Sequence, residues 1–332
     1  MSPKVSVVVP VYKVEAYIER CARSLFGQTL DAMEYIFVDD SSPDASIEIL
    51  QRVLADYPAR ASQVKIIRQE RNKGVAAARE AAIKAATGEY LTHCDSDDWV
   101  ATDAYERLYA EAKSKELDMV WFDYYETDGT HEEHRSQAWA ADTTSLLKAY
   151  LDASGTLMNT FLWNRLYKRE LHDAEFVYPT HNMCEDLVIA LQLLLRSKRI
   201  GHLPAALYYY YQSPDSITRS TSEERILRQH ADVEANVTLA CEIVNASGLN
   251  PAEFRREIES KKLACKDMLL PLVGEEKYRR LWVSSFREIN RSIWFNGLVP
   301  AKRKVRALLL FMNIAPVYAL ADKLRKRRAG KK

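Results

Sequence analysis

No stretch of eighteen uncharged apolar residues occurs in this chain of 332 residues. The longest candidate, residues 307–320, is uncharged for 14 and falls short of a membrane span. The apolar run within MSPKVSVVVPVY is about seven residues, too short for the core of a secretory signal, so none is expected. Cysteine is scarce. Cys21, Cys94, Cys184, Cys241 and Cys265 are odd in number, widely scattered and never spaced as CxxC, and no histidine pair stands at zinc spacing. That pattern argues against a structural zinc or a disulfide framework, and for a reducing, cytoplasmic setting. With 10 Gly and 11 Pro, the chain is neither collagen-like nor of the disordered Pro/Gly-rich class. GxGxxG is missing after the first apolar run, where Pro10-Val11-Tyr12-Lys13 stands instead, which argues against a dinucleotide-dependent oxidoreductase.

What is present is ordinary in amount, 47% hydrophobic and 28% charged, enough for a buried core and about two domains. The charge is distributed unevenly. Residues 301–332 hold eleven Lys and Arg against one acid, net +10, and residues 1–300 hold 36 basic and 45 acidic groups, net −9. An acidic body with a basic tail points to an anionic partner for the tail alone.

Over the first 125 residues two periods alternate. Apolar, β-branched runs at Val5–Val11, Tyr35–Val38, Val64–Ile67, Tyr90–Thr92 and Met119–Phe122 predict strands. Helical patterns lie between them at Glu15–Phe26, Ser46–Leu54, Val75–Ala86 and Asp103–Ala112, with Asp103 and Glu106 as an expected capping pair. This rhythm predicts an α/β fold, a mostly parallel sheet flanked by helices on both faces. A polar stretch, Thr127–Ala141, reads as a loop or insertion. Helical signals return at Ser145–Leu151 and Asp186–Ser197, and beyond the tyrosines at 208–211 only helices are expected.

Ligands of such sheets gather at the carboxyl ends of the strands, so the polar residues following each run matter most. Asp95-Ser96-Asp97-Asp98 follows the fourth run. Asp95 and Asp97 converge if the chain is extended there, and two carboxylates suit Mg²⁺ or Mn²⁺ with phosphate oxygens and water as further ligands. The plain alternative is a solvated acidic turn. Asp39-Asp40 follows the second run and offers acceptors for a base or ribose, or simply a cap for the next helix. Pro10 and Tyr12 place an aromatic face near the same crevice. Asn72, Gly74 and Arg79 set small and basic groups beside a helix start, favourable to a diphosphate, although a solvated turn suits Lys73 equally. Glu185-Asp186 heads an apolar helix. Acids there favour the helix dipole, and the functional alternative is a general base.

Taken in order, these pieces resemble glycosyltransferase family 2, over residues 4 to about 218. Lys4–Tyr12 resembles the family's first strand, and Glu34–Ser42 with Asp44 its nucleotide-binding VDDxSxD element. Asn72-Lys73-Gly74 with Ala78-Arg79 resembles NxGxxxARNxG. Gly88–Asp98 resembles the segment holding the metal-binding DXD, Trp163–Leu171 a WNKLYKREL element, Glu185-Asp186 the ED base motif, and residues 216–218 the closing SIT. Glu80, Ala82, His93-Cys94, Arg165 and Tyr211-Gln212 depart from the family pattern. The resemblance implies a GT-A fold, with a nucleotide-binding half at residues 1–100 and an acceptor half at 101–218. A helical region (219–300) and a basic amphipathic tail (301–332) follow.

The resemblance also implies inverting transfer from a UDP-sugar to a glycan or lipid-linked acceptor. Asp97, with Asp95, would hold Mn²⁺ or Mg²⁺. Asp39 would hold uracil, and Pro10, Tyr12, Asp40, Asn72, Gly74, Arg79, Asp95 and Ser96 would complete the donor site. Asp186 would act as base, with Glu185 orienting it. A sugar-nucleotide nucleotidyltransferase and an inactive sugar-nucleotide-binding scaffold are the alternatives. The tail, with basic clusters flanking apolar segments, is expected to rest on the anionic cytoplasmic face of a membrane rather than on nucleic acid. The alternative is that its apolar stretch packs on its own domain.

Overall fold

A computed structural model of the chain describes residues 2–136, 142–152, 161–212 and 222–313. The chain divides into two compact units, Met1–Ala141 with Asn159–Ile217, and Asp142–Met158 with Thr218–Lys332.

The first unit opens with β1 (Val5–Val11), α1 (Ile18–Phe26), β2 (Met33–Asp39), α2 (Ser46–Ala55), β3 (Val64–Arg68), α3 (Val75–Ala85) and β4 (Tyr90–His93). β1 lies between β2 and β4, parallel to both, and β3 extends the parallel run beyond β2. A strand inside a parallel sheet is covered on both faces, which is why β1 and β2 read as unbroken apolar runs rather than as alternating ones. α3 is alanine-rich because it lies close against β1 and β2, with Ala76, Ala78 and Ala82 buried.

Two buried groups seat the start of β4. The Gly88 amide donates to Ser6 Oγ at 2.9 Å, and a Cβ at Gly88 would stand 2.6 Å from that oxygen. Ser6 Oγ in turn donates to buried Glu34 (2.5 Å), which also accepts from the Thr87 amide and hydroxyl (2.8 Å each) and pairs with Lys65 at 2.6 Å.

Past β4 the sheet becomes mixed. β5 (Trp99–Val100), α4 (Ala104–Ser114), β6 (Met119–Thr127) and β7 (Glu132–Arg135) follow, then α5 (Thr143–Leu151), β8 (Arg165–Lys168), α6 (Glu185–Arg196) and β9 (Ile200–Tyr211). The strand order is β3-β2-β1-β4-β8-β6-β9-β5, with β7 paired to β6. β6 and β9 run parallel, and their register slips between Phe122 and Tyr124, opposite Pro204. Proline cannot donate to the ladder, and a bulge accommodates it.

Two expectations fail here. The stretch 127–141 is not simply a loop, since β7 pairs back on β6 as a hairpin. Asp103 and Glu106 make no reciprocal cap: Asp103 pairs with Arg107 at 3.5 Å, and Glu106 accepts the Thr29 hydroxyl at 2.6 Å.

The described part of the second unit is helical, as expected, comprising α5, α7 (Glu223–Ala246), α8 (Arg255–Asp267), α9 (Glu276–Ser284), α10 (Ile289–Ser292) and α11 (Ala301–Phe311). Leu263, Leu269, Trp282, Ile289, Ile293 and Leu310 share its core. The tail therefore begins as a packed helix: Ala307 and Leu310 are buried, and Arg303 (3.0 Å) and Arg306 both reach Asp267. Its second basic cluster, at 323–328, lies outside the described residues. Among the described residues no helix is long and apolar enough to cross a membrane.

Burial alone would raise the Glu34 carboxyl, but Lys65, Ser6 and Thr87 outweigh it and hold its pKa below the usual glutamate value. A depressed carboxyl contributes stability above its unfolded pKa and loses it as pH falls through the folded one. Glu34→Gln should cost about 1–3 kcal/mol at pH 7. The gap from the parent should narrow below about pH 4.5. Urea unfolding at both pH values tests this, and a gap independent of pH contradicts it.

Candidate active site

The parallel register brings the ends of β1, β2 and β3 level. Val11 sits opposite Asp39, and Asp39 opposite Arg68, whose Nε lies 3.1 Å from the Asp39 carboxylate. Tyr12 stands exposed just beyond β1. Asp39 is buried and accepts the Ser42 amide at 2.8 Å. Around this ridge the chain takes left-handed conformations at Lys13, Ser41, Gly74 and Cys184. Three of these are not glycine, and such strained residues cluster at functional loops.

Asp40 holds the next turn rather than standing open to a ligand. Its two oxygens accept the amides of Lys73 (2.7 Å) and Gly74 (2.8 Å). Asn72 is exposed beside this turn. At Gly74 the φ of +88° and the Asn182 side chain, 2.1–2.4 Å from any added Cβ, both exclude a larger residue. Asn182 Oδ1 accepts the Ala76 amide at 3.2 Å, which caps α3 from 106 residues away. No local signal marks that pairing, and the sequence reading missed it.

Arg79 is likewise not where an open diphosphate cradle would need it. It is 4% exposed and surrounded. Nη2 lies 3.0 Å from Asp95 and 3.7 Å from Asp186, Nε is 3.5 Å from Glu185, and Nη1 donates to His93 Nδ1 at 3.3 Å. Guanidinium only donates, so His93 Nδ1 must be the bare nitrogen and Nε2 carries the proton, donated to Tyr167 at 2.7 Å. Burial and the neighbouring Arg79 charge keep His93 neutral, well below its ordinary pKa.

Glu185 and Asp186 occupy the first turn of α6, set by left-handed Cys184. Burial raises both carboxyls. Glu185 rises further because Asp186 is beside it, while Arg79 pulls Asp186 back down. Of the two, Glu185 is pushed further toward its protonated form, and Arg79 favours the negative charge on Asp186. Asp186 Oδ1 is buried and accepts no hydrogen bond.

The four residues of the acidic turn have separate fates. Asp98 is consumed: Tyr208 donates its hydroxyl to it at 2.6 Å and Tyr211 its amide at 2.7 Å. Tyr208 also accepts the Asp95 amide at 3.0 Å. Asp95 spends one oxygen on Arg79, and Ser96 is buried. Arg20, unforeseen from sequence, lies 3.7 Å over Trp99 and 4.5 Å over Tyr211, and donates to the Asp97 carbonyl at 2.9 Å. Among the described residues no other residue donates to the Asp97 carboxylate. Burial, then the Asp95 charge, lift it to about 6. A half-buried carboxylate that no other residue's donor reaches and that a second carboxylate repels is what a hard cation would relieve. No cluster of three or more acidic, His or Cys ligands occurs among the described residues. Asp97 and the free oxygen of Asp95 fit a divalent ion whose remaining ligands come from substrate and water.

A family model described as "Glycosyl transferase family 2" matches residues 6–183. The chain belongs to glycosyltransferase family 2. It is 32% identical to the uncharacterized glycosyltransferase EpsJ of Bacillus subtilis, over 69% of this chain and 68% of that one. It is 30% identical to glycosyltransferase GlyA of Streptococcus pneumoniae, over 70% of this chain and 33% of that one. Residues 1–349 of S. aureus TarS in complex with UDP-GlcNAc superpose with a TM-score of 0.71 at 18% identity, covering 98% and 92% of the two chains. A mannosyltransferase from Pyrobaculum calidifontis, in complex with GDP-Man and Mn²⁺, matches with a TM-score of 0.55 at 17% identity, covering 97% and 88%. The fold is thus GT-A in this family 2 chain, with a helical region following it. The 216–218 segment of the resemblance lies outside the described residues.

Removing one partner of a buried ionic cluster costs about 3–5 kcal/mol. Arg79→Met should therefore lower stability by that amount, because the acids at 95, 185 and 186 lose their shared cation. Arg68→Met, at an exposed partner of Asp39, should cost under about 1 kcal/mol. Equal losses in denaturant titrations would contradict the hub role of Arg79.

Proposed function

We propose that this glycosyltransferase moves a hexosyl or N-acetylhexosaminyl group from a UDP-sugar to a hydroxyl of a glycan or lipid-linked glycan, with inversion. The observation that carries the reading is Asp186: a carboxylate with one buried oxygen that accepts no hydrogen bond, held beside Arg79, whose charge favours its ionised form. That is the condition of a general base. The TarS complex with UDP-GlcNAc supports a uridine donor.

Asp39, with the exposed ring of Tyr12 nearby and Pro10 behind it, supplies acceptor and stacking contacts for the base. Asp95 and Ser96 lie toward ribose and diphosphate, and Asn72 and Gly74 line the turn beside them. Asp97 and Asp95 would hold Mn²⁺ or Mg²⁺, and the fold match bound to Mn²⁺ supports this choice. When bound, the ion offsets the charge that builds on the departing diphosphate.

The acceptor oxygen forms its bond to C1 as the bond from C1 to the diphosphate oxygen breaks. The bonding pair leaves with UDP, and the acceptor proton passes to Asp186. Glu185, pushed toward its protonated form, would donate to Asp186 and orient it. Residues 1–218 would carry this reaction. Residues 301–332 would hold the chain against an anionic membrane surface on the cytoplasmic side, a reading supported by the acidic body and basic tail.

UDP-sugar turnover with Mn²⁺ and with EDTA tests the function, read as release of UDP, of pyrophosphate, or of neither. Release of pyrophosphate, or donor binding without turnover, overturns it. Asn keeps helix-capping ability, so Asp186→Asn should leave stability nearly intact and cut kcat about 10²–10⁴-fold. An Asn variant with parental kcat returns Asp186 to a capping role. Asp97→Asn should abolish Mn²⁺-dependent turnover, whereas Asp39→Ala should chiefly raise KM for the donor.

A further inference from the structure

In the second unit, α9, α10 and the last turn of α11 enclose a cleft of about 640 Å³. Four of its lining residues are arginines, at 279, 280, 287 and 291. Their pairing is uneven. Arg279 is 11% exposed and fully occupied, donating to Glu276 at 2.8 Å and to the Leu310 carbonyl at 3.0 Å. Arg280 shares that same Glu276 at 2.9 Å while remaining 75% exposed. The side chains of Arg287 and Arg291 make no ion pair or hydrogen bond with any described residue. The acid on the cleft wall, Glu288, is already engaged by Lys262 at 2.7 Å. Counting the four arginines against Glu276, the cleft carries an excess of three positive charges.

Its apolar lining is as informative. Phe311 is 46% exposed there, and Met312, next in the chain, is 57% exposed. Unpaired guanidinium groups recognise phosphate esters through paired donors. Large apolar side chains left at the mouth of such a site do not serve a soluble anion, whereas they do serve a phosphate carried on acyl chains. The described chain ends at Asn313, one residue past Met312, and the following 19 residues hold seven Lys and Arg and one acid.

The geometry points to a binding site for the phosphate headgroup of an anionic phospholipid, in which Arg287 and Arg291 grip the phosphate and Phe311 and Met312 enter the acyl region. This site does not depend on the transfer mechanism and differs from the tail at 314–332. It gives the second unit its own point of attachment to a membrane.

Each arginine near an anionic leaflet is worth roughly fivefold in partitioning, so losing two is worth about thirtyfold. Full-length protein is sedimented with phosphatidylcholine vesicles containing a quarter phosphatidylglycerol, and with pure phosphatidylcholine. The double change Arg287→Gln with Arg291→Gln should weaken binding to the anionic vesicles by that factor, with the thermal midpoint and vesicle-free UDP-sugar hydrolysis unchanged. Arg287→Lys with Arg291→Lys keeps the charge and loses the paired donors, so an intermediate loss is expected. A matched neutralisation of exposed cations in the first unit, Arg52→Gln with Lys84→Gln, should leave binding as it was. The proposal is overturned if the Gln pair binds like the parent, or if the matched pair loses as much. Release of the protein by millimolar glycerol 3-phosphate at constant ionic strength also overturns it, because the occupant is then a free phosphate ester. Should hydrolysis fail in every variant and in the parent while vesicle binding follows the arginines, the transfer reading falls and this site stands.

Discussion

Arg79 is 4% exposed and lies within 3.0–3.7 Å of three carboxylates from two places in the chain, Asp95 and the adjacent pair Glu185 and Asp186. One cation cannot neutralise three carboxylates, and a net charge of −2 around a buried guanidinium, with Glu185 buried and Asp95 and Asp186 half-buried, would be costly. Burial and the adjacent Asp186 relieve this by pushing Glu185 toward its protonated form. The cluster also forces His93 to remain neutral, since an imidazolium facing a guanidinium would add a repulsion. Burial together with the charges gathered at one residue of an alanine-rich helix therefore shifts Glu185, Asp186 and His93. Burial raises Asp186 as well, but Arg79 and Glu185 both pull it back toward its charged form.

That arrangement requires loops that do not drift, and the structure braces them with contacts distant in sequence. Asp40, at the end of β2, fixes the Lys73–Gly74 turn. Asn182, just before α6, caps α3 and packs against Gly74. Tyr208, on β9, ties the Asp95 amide to Asp98. Arg20, on α1, fixes the backbone at Asp97 from between two aromatic rings. The outcome is a division of labour among neighbouring acids: Asp40 and Asp98 are spent on backbone and tyrosine donors, and Asp97 keeps its carboxylate unused. Adjacent aspartates of one motif are thus chemically unlike, because what decides their role is the partner that folding delivers.

The same reasoning separates what was legible in the sequence from what was not. β1 to β4 and α1 to α4 announce themselves, because strands buried on both faces are unbroken apolar runs and the helices between them carry a 3.6-residue stripe. β7, with the sequence Glu-Glu-His-Arg, has no such signal; it exists because β6 is long enough to pair with it. Two-residue β5 is set by Tyr208 and Tyr209 of β9. In the candidate site, Asp39, Asp97 and Asp186 stand out in the sequence by their positions after strands or at a helix start. Asp40 and Arg79 were read as donor contacts because the groups that occupy them lie up to 107 residues away. Asn182 and Arg20 had no local mark at all.

The carboxyl-terminal region carries that lesson from chemistry to charge. Eleven Lys and Arg in residues 301–332 read as one basic surface. Folding divides them. Arg303 and Arg306 both turn to Asp267, and the helix that carries them buries Ala307 and Leu310 in the unit's own core. Their charge is therefore spent inside the protein, while Lys302 and Val305 face outward on the same helix. Meanwhile Arg287 and Arg291, which belong to no basic run and stand four residues apart in a stretch that looks unremarkable, are left without partners. Counting charges along a chain thus overstates one patch and overlooks another. What an anion would meet at the surface is set by which cations have already found carboxylates.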